Sequence, residues 1–332
     1  MAAIALRSPQ YKYATANIGS PNSAKITISI DGTIQYTLVK GATAGANMLW
    51  EIAELCRDFI NITYDGSYTA ETLAIISTLT SHASTDGSGT ALTTNTFTDI
   101  GYDGYGTFTE GSNPTVPFGS RPTWLISGDP NHTTANDEYY IYVPNNTSGS
   151  VPYIIANETM GYQSYSATAL DIVGSPAGIK MNINRIDCTK YGDGHKITFV
   201  NKFGALQDIW FFLKSVNTTT KKQEQYQRFD INTAGVYNVY VHTKQDFNTL
   251  ANTSITLSSG FYPEWTNQWF EQLLLSEQVW LTRQVPTNPS TTESVPVNVT
   301  KNNLVKKTIV NDKLIEYTFD FSMSFDYINN VR

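Results

Sequence analysis

The chain has 332 residues, of which 40% are hydrophobic and only 15% charged, with 20 tyrosines and a net charge of −7. That length allows two or three domains with cores of their own, and the apolar content excludes wholesale disorder. The acidic balance, with a pI near 5.1, opposes attraction to phosphate backbones and disfavours nucleic-acid binding.

The opening MAAIALRSPQYKY has a short apolar stretch with no basic segment before it, so no signal peptide is expected. No later run approaches the roughly 20 apolar residues that span a bilayer, and the chain is expected to start in a cytoplasm. In KITISIDGTIQYTLVK, Ile26, Ile28 and Ile30 alternate with Thr27 and Ser29. Asp31-Gly32 supplies a two-residue turn, and Ile34, Tyr36 and Leu38 alternate on the return. This pattern predicts a β-hairpin. The next segment, ANMLWEIAELCRDFI, places Leu49, Ile52, Leu55 or Cys56, and Phe59 at helical spacing, which predicts a helix covering the hairpin.

Residues 62–110 read as short strands, ITY and TLAIISTL among them, cut by Asp-Gly turns. From 113 to 178, Pro, Gly and Ser punctuate short strands at 124–126, 139–143 and 153–155, which reads as a loop-rich β insertion or small domain. Regularity returns at 179, with strand candidates marked by Met181 and Ile183, Ile197 and Phe199, Val239 and Val241, and Ile255 and Leu257. A Trp- and Leu-rich helix is predicted over 263–277, with Pro263 in its first turn and Trp265, Trp269 and Leu273 on its stripe. VPVNVT, KKTIV and LIEYTFDFSMSF close the chain as strands. The last places Phe319, Phe321, Met323, Phe325 and Tyr327 on one face.

The expected fold is mainly β with a few helices, an α+β chain of antiparallel β-sandwich or barrel-like domains spanning 1–112, 113–178 and 179–332. Trp210, Trp265, Trp269, Phe319, Phe321 and Phe325 are the expected C-terminal core. The C-terminus is expected to be ordered.

Little in the residues points to chemistry. His82, His132, His195 and His242 are scattered without metal-ligand spacing. Cys56 and Cys188 are far apart and read as buried apolar groups. Asp-Gly sites at 101–106 and 191–195 read as turns, and GYQSYS around Ser164 lacks the second glycine of a nucleophile elbow. Asp320 and Asp326 share a strand face but would stand about 20 Å apart, too far for glycoside cleavage. No catalytic residue, metal or cofactor is nominated. Tyr102, Tyr105, Phe108 and Trp124 are a candidate interaction surface, either a sugar-stacking platform or a protein hot spot, against ordinary packing of β-domain aromatics.

Three blocks, HKITFVNKFGALQDIWFF, SGFYPEWTNQWFEQLLLSEQVWL and VNDKLIEYTFDFSMSFDYINNVR, resemble in that order uncharacterised virion structural proteins of tailed bacteriophages. The leading hairpin and the IAELCRDF segment fit the same pattern. The resemblance implies a non-enzymatic, tail-associated virion component, made in the host cytoplasm, with copies of itself in a symmetric ring and other tail or head–tail proteins as partners. Neither membrane nor specific nucleic-acid binding is implied. A receptor-binding or capsid-surface module that recognises host glycans is the alternative.

Overall fold

The structure, a computed structural model, describes residues 2–14, 23–41, 48–66, 73–105, 111, 113, 123–124, 138–144, 150–156, 162–166, 172–174, 180–186, 194–202, 204, 206–228, 231, 233–236, 238–285, 288–308 and 313–325. The fold is mainly β and sandwich-like, with mostly antiparallel sheets and two short α-helices among the described residues. The chain divides into two compact units. The first comprises Met1–Ile186 with Thr198–Ile209, and the second Asp187–Ile197 with Trp210–Arg332. Residues 113–178, read as an insertion or small domain, fall within the first unit in this division.

The first unit opens with β1 (Ala2–Ala5), β2 (Tyr11–Ala14) and the expected hairpin, β3 (Ser23–Ile30) and β4 (Thr33–Gly41). Its turn residues Asp31 and Gly32 have φ of 49° and 82°. Positive φ at both positions matches the strand twist, and Asp-Gly tolerates it. The Asp31 carboxylate also accepts a hydrogen bond from Ala74 N at 2.9 Å. After β5 (Met48–Glu51) and α1 (Ala53–Arg57) come β6 (Leu73–His82) and β7 (Ala91–Tyr102). The main sheet has the order β1, β7, β6, β3, β4, antiparallel except for β1 beside β7. One face is apolar: Ile26, Ile28, Ile30, Ile75 and Leu79 pack with Trp50, Ile52 and Cys56.

The helix expected from 46 to 60 is corrected to a strand followed by a single turn of helix. Met48 and Trp50 are buried while Leu49 is 49% exposed. That period of two suits β5, which pairs with β2. Glu51 sets the change of period: its carboxylate accepts from Ala53 N at 2.9 Å and Glu54 N at 3.2 Å, satisfying the first donors of α1. Residues 62–64 are not a strand, although Ile62 and Tyr64 are buried. The rest of the unit holds two three-stranded sheets. One is β8 (Thr123–Trp124) with β10 (Ser150–Ala156) and β11 (Tyr162–Ser166), and the other is β9 (Glu138–Pro144) with β12 (Ile172–Gly174) and β13 (Lys180–Ile186). β13, expected to open the C-terminal domain, instead pairs in parallel with β9.

The second unit holds β16 (Ser215–Gln227), β17 (Lys244–Ser258), β18 (Tyr262–Pro263), α2 (Asn267–Leu275), β19 (Val279–Val285), β20 (Asn288–Val299), β21 (Leu314–Ile315) and β22 (Thr318–Met323), while β14 (His195–Val200) and β15 (Leu206–Phe211) are divided between the units, Thr198–Ile209 falling in the first. The strand order of the seven-stranded sheet is β15, β14, β19, β20, β22, β17, β16. The second predicted helix is present, shortened to a 3-10 turn at Glu264–Thr266 and α2. Trp269, Phe270 and Leu273 form its buried stripe. β22 alternates as expected, with Phe319 and Phe321 wholly buried and Met323 at 8% exposure. Their rings meet Phe211 edge-on at 6.1 and 5.9 Å, and Phe270 joins the cluster at 6.4 Å from Phe211.

Three of the expected core aromatics differ. Phe325 is 43% exposed, because β22 ends at Met323 and the alternation lapses with it. Trp210 and Trp265 are half-buried, while Trp269 is buried and stands perpendicular to Trp265 at 5.2 Å. The expectations for Tyr327, for the last residues and for Cys188 lie outside the described residues. Tyr262 is fully buried, and its hydroxyl donates to Trp210 O at 2.7 Å. Tyr262→Phe should cost about 1 to 2 kcal/mol in urea unfolding, since it leaves that carbonyl without its donor. A loss below about 0.3 kcal/mol would mean that water replaces the hydroxyl.

Candidate interaction surfaces

The strand predicted around Val239 and Val241 is absent. Val239 is 72% and Tyr240 93% exposed in a turn region. The polar stretch SVNTTTKKQEQYQ, which carries no apolar alternation, is instead the strand β16, and all 13 of its residues are exposed. β16 pairs with β17 from Ser215 opposite Leu257 to Gln227 opposite Lys244. β22, in contrast, pairs with β17 only over Ser254–Ser258. The remaining ten residues of β17, with the matching part of β16, form a two-stranded arm about 33 Å long at strand rise.

Cross-strand side chains hold the arm. Lys221 Nζ lies 2.9 Å from Asp246 Oδ2, and Gln225 donates to Asp246 Oδ1 at 2.7 Å. These bonds hold the Asp246 carboxyl below its ordinary value, the Lys221 bond first. Tyr226 and Phe247 meet edge-to-face at 5.7 Å. Beyond them, Ile231, Val236, Val239 and Tyr240 are 59 to 93% exposed. The arm is thus a polar stem with an apolar tip.

A second exposed edge is β4, last in its sheet and exposed at every residue except Tyr36. Ile34 is 63%, Leu38 37% and Val39 44% exposed. On the face opposite the core, Thr37, Thr27, Thr78 and Thr96 stand in register across β4, β3, β6 and β7.

The aromatics nominated from sequence fall in different settings. Tyr102 ends β7 and is half-buried, whereas Tyr105 is 54% exposed. The Arg7 guanidinium lies 5.8 Å from the Tyr105 ring centroid and grips Asp103 through Nε to Oδ1 at 2.7 Å and a second nitrogen to Oδ2 at 3.1 Å. Trp124 pairs through its backbone with Ile155, and Phe108 lies outside the described residues. Spacing in sequence could not reveal the arm, because its strand pairing is satisfied by backbone groups and its side chains are polar.

Among the described residues, no group of three or more His, Cys, Asp or Glu side chains converges as metal ligands. Asp320 accepts from Thr256 Oγ1 at 2.6 Å on the exposed face of β22, and Asp326 and His132 lie outside the described residues. His82 is buried, while burial lowers the His195 imidazole below its ordinary value. Cys56 is wholly buried, and burial, aided by Glu51 and Asp99, pushes its thiol up to about 12. Thiolate is the reactive form, so Cys56 should resist alkylation at pH 8 until the chain unfolds. Labelling of Cys56 in the native protein, read by peptide mass, would show that this core opens.

At the β6–β7 turn, Asp86 accepts from Ser88 Oγ at 2.6 Å and Ser88 N at 3.1 Å. The Ser88 hydroxyl, then Ser84, draws its carboxyl from 3.8 down to about 2. A depressed carboxyl contributes its stabilisation above the unfolded value and loses it as pH falls through the folded one. An NMR titration should therefore place the Asp86 midpoint near 2. A midpoint at 3.8 would mean that the Ser88 bonds are not kept in solution.

No family model matches the chain, and neither a curated protein nor a solved structure is significantly similar to it. Among the described residues, no helix is long and apolar enough to cross a membrane.

Proposed function

We propose that the chain is a non-enzymatic structural subunit of a tailed-bacteriophage particle, a tail, adaptor or baseplate component that assembles with copies of itself into a ring or tube and touches neighbouring virion proteins. The observation that carries this reading is the β16–β17 arm. A two-stranded ribbon is marginal in water. An arm that ends in exposed Val239 and Tyr240 is suited to be covered by a partner. The neutral polar composition supports the same reading, since hydroxyls and amides cost less to desolvate than charges. The resemblance of the helix and closing-strand blocks to virion proteins supplies the setting. Light scattering with negative-stain imaging over a concentration series tests it. A closed ring or stacked tube is expected. A persistent monomer or small trimer would overturn it in favour of a particle-surface module, to be probed with host glycans.

A further inference from the structure

We propose that the β16–β17 arm of one copy adds edge-to-edge to β4 of a second copy, extending that copy's five-stranded sheet. The inference rests on the assembly reading above and names the partner and the surface. Among the described residues, β4 ends one sheet and β16 ends another, and the two exposed edges are unlike. A donor edge and an acceptor edge on every copy make a heterologous contact, the kind that closes into rings or stacks into tubes.

The β4 edge lacks the usual shields. Edges are normally blunted by charges or proline. Here the strand TIQYTLVKG has one charge, Lys40, which is turned back onto its own copy, donating to Leu49 O and lying 5.3 Å from the Trp50 ring centroid. Eight of its nine residues are exposed, Ile34, Leu38 and Val39 among them, and they form an edge that attracts a strand. β16, with 13 exposed residues, is long enough to cover it.

Charge selects the second copy as the occupant. The first unit holds 9 Lys and Arg against 16 Asp and Glu, a net of −7, while the second holds 13 of each. The arm from 215 to 253 is locally positive, with 4 Lys and Arg against 3 Asp and Glu. Lys222 and Lys244 are exposed on it, without an ionic partner among the described residues. At β4 the complementary charges are at hand. Gly87, next to Asp86, lies against Val39, and the Phe59 ring, next to Asp58, stands 6.0 Å from Tyr36. A basic arm is therefore complementary to the acidic first unit that a second copy presents.

Cross-linking tests the pairing. In a Cys188→Ser background, one preparation carries Thr37→Cys and a second Thr220→Cys, and the two are mixed and mildly oxidised. A mixed disulfide dimer is expected to exceed either self-linked dimer. Charge reversal gives an independent reading. Lys222→Glu with Lys244→Glu should weaken assembly about tenfold, and mixing that variant with Asp58→Lys should restore it. If particles form but the mixed cross-link and the rescue are both absent, the arm-to-β4 pairing is overturned while the assembly reading stands. A chain that remains monomeric at every concentration overturns both.

Discussion

Replacing Phe211 with alanine should lower the stability of the second unit by about 3 to 5 kcal/mol. The ring is 1% exposed and sits where three elements meet. It packs edge-on against Phe319 and Phe321 of β22 and against Phe270 of α2, with centroids 5.9 to 6.4 Å away. Truncation removes its own burial and strips each neighbouring ring of an edge-to-face partner, and the three rigid aromatics left cannot collapse into the space. Phe325→Ala, two residues past the end of β22 and 43% exposed, should stay within about 0.5 kcal/mol of the parent. Urea unfolding followed by tryptophan fluorescence distinguishes the two. A Phe211→Ala loss below about 1.5 kcal/mol would show that the aromatic cluster does not hold the unit together.

The second large effect is expected at Gly204. Its φ is +81°, and an added Cβ would lie 2.7 to 2.8 Å from the backbone N, C and O of Asp103. A left-handed backbone alone costs a residue with a side chain about 1 kcal/mol. Here a second cost adds to it, because the obstructing atoms are main chain and cannot rotate aside. They are also fixed by the paired Arg7–Asp103 bonds and by Tyr105 N donating to Lys202 O at 2.8 Å. Gly204→Ala should therefore cost about 2 to 4 kcal/mol, in the range of overpacked or strained sites. Gly32 provides the control. Its φ of +82° is nearly the same, but nothing lies within 4 Å of its Cβ position. Gly32→Ala should cost only about 1 kcal/mol, the strain without the collision. Equal losses at the two sites, measured by thermal unfolding, would mean that the close approach to Asp103 is not kept in solution.

The parts of the fold that were legible in the sequence are those where side chains carry the information. Asp31-Gly32 between two alternating runs defined the β3–β4 hairpin, and alternation of Phe319, Phe321 and Met323 defined β22. The α2 stripe was readable from the spacing of Trp269 and Leu273. Where short apolar runs satisfy two periods, the pattern misled. Leu49 and Ile52 fit a helical stripe, while Met48, Trp50 and Ile52 fit a strand, and pairing with β2, far away in sequence, decided the outcome. Val239 and Val241 alternate as a strand should, yet they lie in a turn region at the end of the arm, where Val239 is 72% exposed. β16 is the reverse case, a strand of threonines, lysines and glutamines held by backbone bonds to β17. Of the candidate surfaces, the aromatic residues were visible in sequence, but the exposed edges of β4 and β16 depend on strand order and could not be.

The Gly204 turn also bears on how the protein is made. Thr198–Ile209 belongs to the first unit although the second has already begun at Asp187. About a hundred residues separate Asp103 from the glycine that presses on it. On a ribosome adding roughly 5 to 20 residues per second, the β1–β7 sheet would wait about 5 to 20 s for its last segment to emerge. A fragment ending at Ile186 would never receive it. The two halves are compact but interleaved along the chain, so each must be synthesised in the company of the other.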